Sequence, residues 1–103
     1  MNETSLPPDQ CQTMLEVRAG VDAADRALVE LLVRRFGYMR AAARIKADRG
    51  QVRDETRKAQ VIENVRNHAA AVGLPPERLA VVWDVLVEQS IAYELDEWDE
   101  TRG

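Results

Sequence analysis

The sequence predicts an all-α chain of three helices, the first of them very long. Three observations predict it. The four prolines fall as Pro7-Pro8 and Pro75-Pro76, so none interrupts a long periodic stretch. Apolar residues recur at three- and four-residue spacing instead of alternating, the signature of a helix with one buried stripe. The composition, 46% hydrophobic and 31% charged over 103 residues, is that of one small globular domain and argues against a disordered chain.

The elements follow in order. Residues 1–11 are polar and contain proline, and read as a flexible N-terminal tail; residues 12–100 read as a single helical domain. The first helix runs over about 12–48, with Gly50 as its natural stop. The second covers about 54–71: Asp54 is its N-cap, Glu55 adds acid to the first turn, and Gly73 followed by Pro75-Pro76 ends it. Pro76 and Glu77 open the third helix, which runs to about 98, leaving 99–103 to fray.

The first helix is too long for its own domain. About 36 residues rise roughly 54 Å, whereas a chain of this size has a radius of gyration of about 13 Å. Its apolar stripe reads Met14, Val17, Val21, Ala24, Leu28, Leu31, Arg35, Tyr38, Ala42, Ile45, the 3-4-3-4 seam of a coiled coil or long bundle. A seam of that length needs a second chain to cover it, so the sequence predicts an obligate, intertwined homodimeric bundle with two-fold symmetry. The alternative is a break at Gly37 that yields an ordinary bundle of shorter helices.

Several function classes are set aside. A net charge of −4 disfavours nucleic acid as a partner. No stretch approaches the roughly 18 apolar residues of a membrane span, and residues 1–10 lack the pattern of a signal peptide. Cys11 is the single cysteine, so no intrachain disulfide forms, and a reducing, cytoplasmic location is expected. No metal-ligand spacing, glycine-rich phosphate loop or nucleophile motif is present, so the chemistry is expected to use no metal or cofactor.

What remains is charge where a core belongs. Arg35 occupies a seam position among Leu28, Leu31, Leu32, Tyr38 and Met39. An arginine there either snorkels to the edge of the stripe or lines a cationic pocket that takes an anion. Lys46, one of only two lysines beside twelve arginines, lies eleven residues on, roughly 16 Å along the same side. Arg18 is about 25 Å from Arg35 on one helix and reaches the same ligand only from an antiparallel partner. In the third helix the stripe Leu79, Val82, Trp83, Leu86 continues into Ser90, Tyr93 and Glu94, so Glu94 either emerges into solvent or faces a pocket. Asp54 and Arg57, at the start of the second helix, are either a cap and a surface arginine or the closure of one end of such a pocket. His68, on a polar stretch, reads as solvated. Arginines lining a pocket suit a small dicarboxylate.

These residues resemble the all-α chorismate mutases and their relatives, the isochorismate-pyruvate lyases of salicylate biosynthesis. The resemblance spans about residues 15–98. It rests on Leu15-Glu16-Val17-Arg18, Val21-Asp22-Ala23-Ala24-Asp25, Leu31-Leu32-Val33-Arg34-Arg35, Ala43-Arg44-Ile45-Lys46, Val52-Arg53-Asp54-Glu55-Thr56-Arg57 and Glu88-Gln89-Ser90 with Glu94, in that order. It implies an intertwined dimer whose first helix spans both protomers, and a cofactor-free pericyclic rearrangement of chorismate to prephenate. By resemblance Arg35 and Arg57 of one chain and Arg18 of the other hold the substrate carboxylates. Lys46 donates to the ether oxygen, Glu94 contacts that same oxygen, and Asp54 and Ser90 meet the hydroxyl and carboxylate end.

Two departures bear on the reading. Lys58 stands where the mutases commonly carry a glutamate that binds the substrate hydroxyl, and the tail with Trp98 and Thr101-Arg102-Gly103 is lyase-like, whereas Asp54 is mutase-like. The balance favours a mutase, with an isochorismate-pyruvate lyase or a non-catalytic helical dimerisation module as the alternatives. Glu94 replaces the commoner glutamine; only its protonated form donates a hydrogen bond, so activity is expected to be best in mild acid and to fall as Glu94 ionises.

Overall fold

The computed structural model describes residues 5–103. Those residues form three α-helices, α1 (Met14–Ile45), α2 (Glu55–Ala71) and α3 (Pro76–Arg102), with short 3-10 turns at Pro8–Gln10 and Arg49–Gln51 and no strand among them. The all-α expectation holds. Of the expected tail, residues 1–4 lie outside the described residues, while Pro8–Gln10 is helical and Cys11 is half-buried.

Each helix end has a local cause. Thr13 and Glu16 form a reciprocal cap at the start of α1: Glu16 N–H donates to Thr13 Oγ1 at 3.1 Å, and Thr13 N–H to Glu16 Oε1 at 3.1 Å. The helix then passes through Gly37 without a break, so the broken alternative is not found. It stops three residues earlier than expected, and Gly50 is not its terminator. Instead Gln51 Oε1 accepts from the N–H groups of Ala47 and Asp48 at 3.1 and 3.2 Å and turns the chain. Asp54 caps α2 as expected, its Oδ1 accepting from Arg57 N–H at 3.0 Å. At the other end Gly73 adopts φ +84°, the left-handed region. There Leu74 N–H reaches Ala69 O at 2.8 Å and Gly73 N–H reaches Ala70 O at 3.3 Å, a Schellman stop.

The largest correction concerns the last helix. Residues 99–102 were expected to fray, yet α3 continues to Arg102. Its last turn is tied down: Arg49 grips Asp99 with two hydrogen bonds of 2.8 and 3.1 Å, and Arg102 bonds the carbonyl oxygens of Ala43 and Lys46. Terminal order thus comes from tertiary partners that helix propensity does not report.

The chain divides into two compact units, one ending at Phe36 and one beginning at Gly37. In the second, Val52, Val87 and Ile91 form the buried centre, flanked by Val61, Ile62, Trp83, Leu95 and Trp98. Ala69 and Ala80 are buried as well. The inward side of α3 keeps the expected Leu79, Trp83 and Leu86 at least half-buried and adds Val87 and Ile91, while Val82 alone of the expected stripe is exposed. In the first unit the stripe residues Val17, Val21, Leu28 and Leu31 are exposed, Leu31 to 60%.

Candidate functional site

Four-residue steps on α3 place Ser90, Glu94, Trp98 and Arg102 along one face of the helix. Ser90 and Glu94 are buried, at 3% and 4% exposure, so the reading in which Glu94 emerges into solvent is wrong. Ser90 Oγ donates to Leu86 O at 2.7 Å. Glu94 meets the C-terminal end of α1: Lys46 Nζ lies 2.8 Å from Glu94 Oε2. That contact is an ion pair whose geometry falls short of a hydrogen bond, so Glu94 Oε2 is a buried acceptor with no hydrogen-bond donor among the described residues. Buried acceptors are ordinarily satisfied. The pair can present a cation, and this carboxyl oxygen, to one small polar ligand.

Lys46 also lines an open cleft of about 770 Å³ with Ile45, Gln51, Arg53, Asp54 and Glu55. Asp54 is thus both helix cap and cleft wall. Arg57 sends its backbone N–H to Asp54 and its guanidinium to Gln60 on its own helix. Arg18 and Arg35 belong to the unit that ends at Phe36, where Arg18 is exposed and Arg35 half-buried. Within the second unit the predicted residues Lys46 and Glu94 are brought into contact, and Lys46 and Asp54 share a cleft. His68 is exposed, as expected.

The second lysine has a different fate. Lys58 Nζ lies 2.6 Å from Glu88 Oε2 and 2.9 Å from Asp84 Oδ1, so its charge is matched by two carboxylates of α3. Arg53 holds the same Glu88 through bonds of 2.6 and 3.1 Å and also pairs with Glu55. The hydrogen bonds from Arg53, then those from Lys58, hold the Glu88 carboxyl down to about 2. The hydrogen bond to Glu88, then that to Asp84, raises the Lys58 ammonium above its ordinary range. Among the described residues no group of three or more His, Cys, Asp or Glu is placed to hold a metal ion, and no helix is long and apolar enough to cross a membrane.

Sequence reasoning missed the roles of Arg53, Trp98 and Arg102. For the last two a signal existed: they continue the Ser90–Glu94 face at the same four-residue step.

Comparison with known proteins adds two findings. The family described as chorismate mutase type II matches residues 17–95. An isochorismate pyruvate lyase of Pseudomonas aeruginosa is 27% identical over 96 residues, 93% of this chain and 95% of that protein.

Proposed function

The chain belongs to the chorismate mutase type II family, and from that premise we propose that it is a chorismate mutase, an isomerase that rearranges chorismate to prephenate without cofactor. The observation that carries the reading is the Lys46 ammonium held 2.8 Å from a buried Glu94 carboxyl at the edge of a cleft. The reaction breaks a C–O bond while a C–C bond forms, within one molecule and with no proton transfer. Catalysis then reduces to two tasks. One is holding the compact reactive conformer, a positioning effect worth several kcal/mol. The other is placing a fixed positive charge where the ether oxygen gains negative charge, worth about 3–4 kcal/mol for one strong donor.

Each residue takes a role on that reading. Lys46 donates to the ether oxygen, with Glu94 contacting the same atom. Arg35 and Arg57 hold the substrate carboxylates, and the partner subunit's Arg18 completes the clamp. Asp54 and Ser90 take the hydroxyl and carboxylate end. The enzyme is a homodimer of the cytoplasm on this reading, and the exposed apolar stripe of α1 before Phe36 supports the pairing.

A second reading is an isochorismate pyruvate lyase. The P. aeruginosa relative favours it, as does Lys58, a cation committed to Asp84 and Glu88 where a hydroxyl acceptor would serve a mutase. The test offers chorismate and isochorismate separately to the purified protein. Prephenate from chorismate supports the mutase. Salicylate and pyruvate from isochorismate, with no prephenate from chorismate, replace it with the lyase. No turnover, and no rise in melting temperature with either compound, leaves a non-catalytic helical module.

A further inference from the structure

We propose that Trp98 and Arg102 are positioning residues for Lys46, clasping the carbonyl end of α1 so that the lysine ammonium is held against Glu94. The inference rests on the proposed reading of Lys46 as the donor to the reacting oxygen, and extends it to two residues that touch no substrate.

An α-helix leaves its last carbonyls without partners from its own backbone. Here α1 ends at Ile45, and Lys46 N–H makes one more helical hydrogen bond, 2.9 Å to Ala42 O. Two of the leftover oxygens, on Ala43 and on Lys46 itself, are taken by α3. Arg102 Nη1 donates to Ala43 O at 2.9 Å and Nη2 to Lys46 O at 2.6 Å. Trp98 Nε1 donates to the same Lys46 oxygen at 3.1 Å. The guanidinium is itself fixed: its central carbon stands 4.5 Å from the centre of the Trp98 ring, and Nη1 also donates to Thr101 Oγ1 at 2.9 Å. Lys46 is therefore held at its backbone N–H, by two donors at its carbonyl oxygen, and at its ammonium.

One helix supplies both ends of this grip. Glu94, Trp98 and Arg102 are successive residues of one face of α3. The distance from Nζ to Glu94 is consequently set by how α3 meets the end of α1, and the clasp fixes that meeting. A lysine reaches through a flexible four-carbon stem, so its head is preorganised only as well as its backbone is anchored. A misplacement of about 1 Å in a reacting group costs on the order of 100-fold in rate. A cation near a helix C-terminus also suits the helix dipole, so a purely stabilising cap is the competing account, and the test separates the two.

Three variants grade the grip. Arg102→Ala removes both guanidinium bonds to the α1 carbonyls, Arg102→Lys keeps the charge but lacks the fork that spans two carbonyls, and Trp98→Phe removes only the N–H. With whichever substrate the parent turns over, kcat is expected to fall about 10-fold in Arg102→Ala and less in the other two, with KM within about threefold. Measurements run well below each melting temperature, with helicity checked by far-ultraviolet circular dichroism. Because Lys46 and Lys58 are the only lysines, ¹³C-lysine labelling gives a second, substrate-free readout. The Lys46 side-chain signal is expected to shift in Arg102→Ala in the direction it shifts in Glu94→Gln, while the Lys58 signal stays. A lowered melting temperature with parental kcat and an unmoved Lys46 signal overturns the proposal. If the parent turns over neither chorismate nor isochorismate, the proposed activity fails, and the lysine signal alone decides the clasp.

Discussion

Replacing Lys46 by Met leaves a carboxylate that is 5% exposed without the ammonium that stood 2.8 Å from it. Stranding one member of a buried pair is costly, but Lys46 is itself 29% exposed, so the loss of stability is expected at about 2 kcal/mol, below the fully buried case. Turnover is expected to fall about 10²- to 10³-fold, as for removal of one preorganised donor at a developing oxyanion. Steady-state kinetics and urea unfolding of Lys46→Met measure the two. Glu94→Gln isolates the other partner: the amide keeps the shape of the side chain but removes the charge that pairs with Lys46 and adds a donor, so kcat of the variant measured beside that of Lys46→Met separates what the carboxyl contributes from what the ammonium contributes. Glu94 was legible in the sequence because it is a charge that interrupts an apolar line, and Lys46 because it is one of only two lysines and lies on the side of α1 that carries Arg35. The four-residue step shows that Trp98 and Arg102 share the face of Glu94, but their partners were not legible, since they bond backbone oxygens and a carbonyl looks the same in every residue.

Helix ends are decided by short-range chemistry, and most of them could be read. Asp54, Gly73 and Pro76 mark the boundaries of α2 and α3 in sequence and in space. Where a boundary depends on a distant element, the sequence was mute: the last turn of α3 survives through Arg49–Asp99 and the carbonyls of α1. The seam between α2 and α3 is a similar case. Arg53 and Lys58 converge on Glu88 and hold its carboxyl down to about 2 from an ordinary value of 4.5. A carboxyl depressed in the folded state stabilises fully above its ordinary value, and that contribution is lost as the pH falls toward 2. The expected outcome is that Glu88→Gln melts below the parent at pH 6, and that the gap narrows through the range from about pH 4.5 to pH 2. Melting curves at four or five pH values check this; a gap independent of pH shows that the network carries no acid sensitivity.

At the scale of the whole molecule, the clamp proposed for Arg18 and Arg35 calls for a second chain. Arg18 and Arg35 sit on one helix, 17 residues apart, and an α-helix separates such residues by roughly 25 Å. One small dicarboxylate cannot bridge that span, whereas on the proposed reading an antiparallel copy would bring the partner's Arg18 beside Arg35. The stripe that would face the copy, Val17, Val21, Leu28 and Leu31, is exposed in the single chain, and an apolar row of that length is costly to leave in water. The dimer and the shared site make one joint prediction. Arg18→Ala and Arg35→Ala homodimers each lack one arginine in both sites and are expected to be nearly inactive. Unfolding them together and refolding gives mixed dimers as about half of the population. Each mixed dimer holds one site with both arginines and one with neither, so about a quarter of parental activity is expected to return. Recovery that scales with the fraction of mixed dimers locates Arg18 and Arg35 of one site on different chains. Two inactive homodimers whose mixture stays inactive place both arginines in a site built by one chain, and the shared-site reading fails.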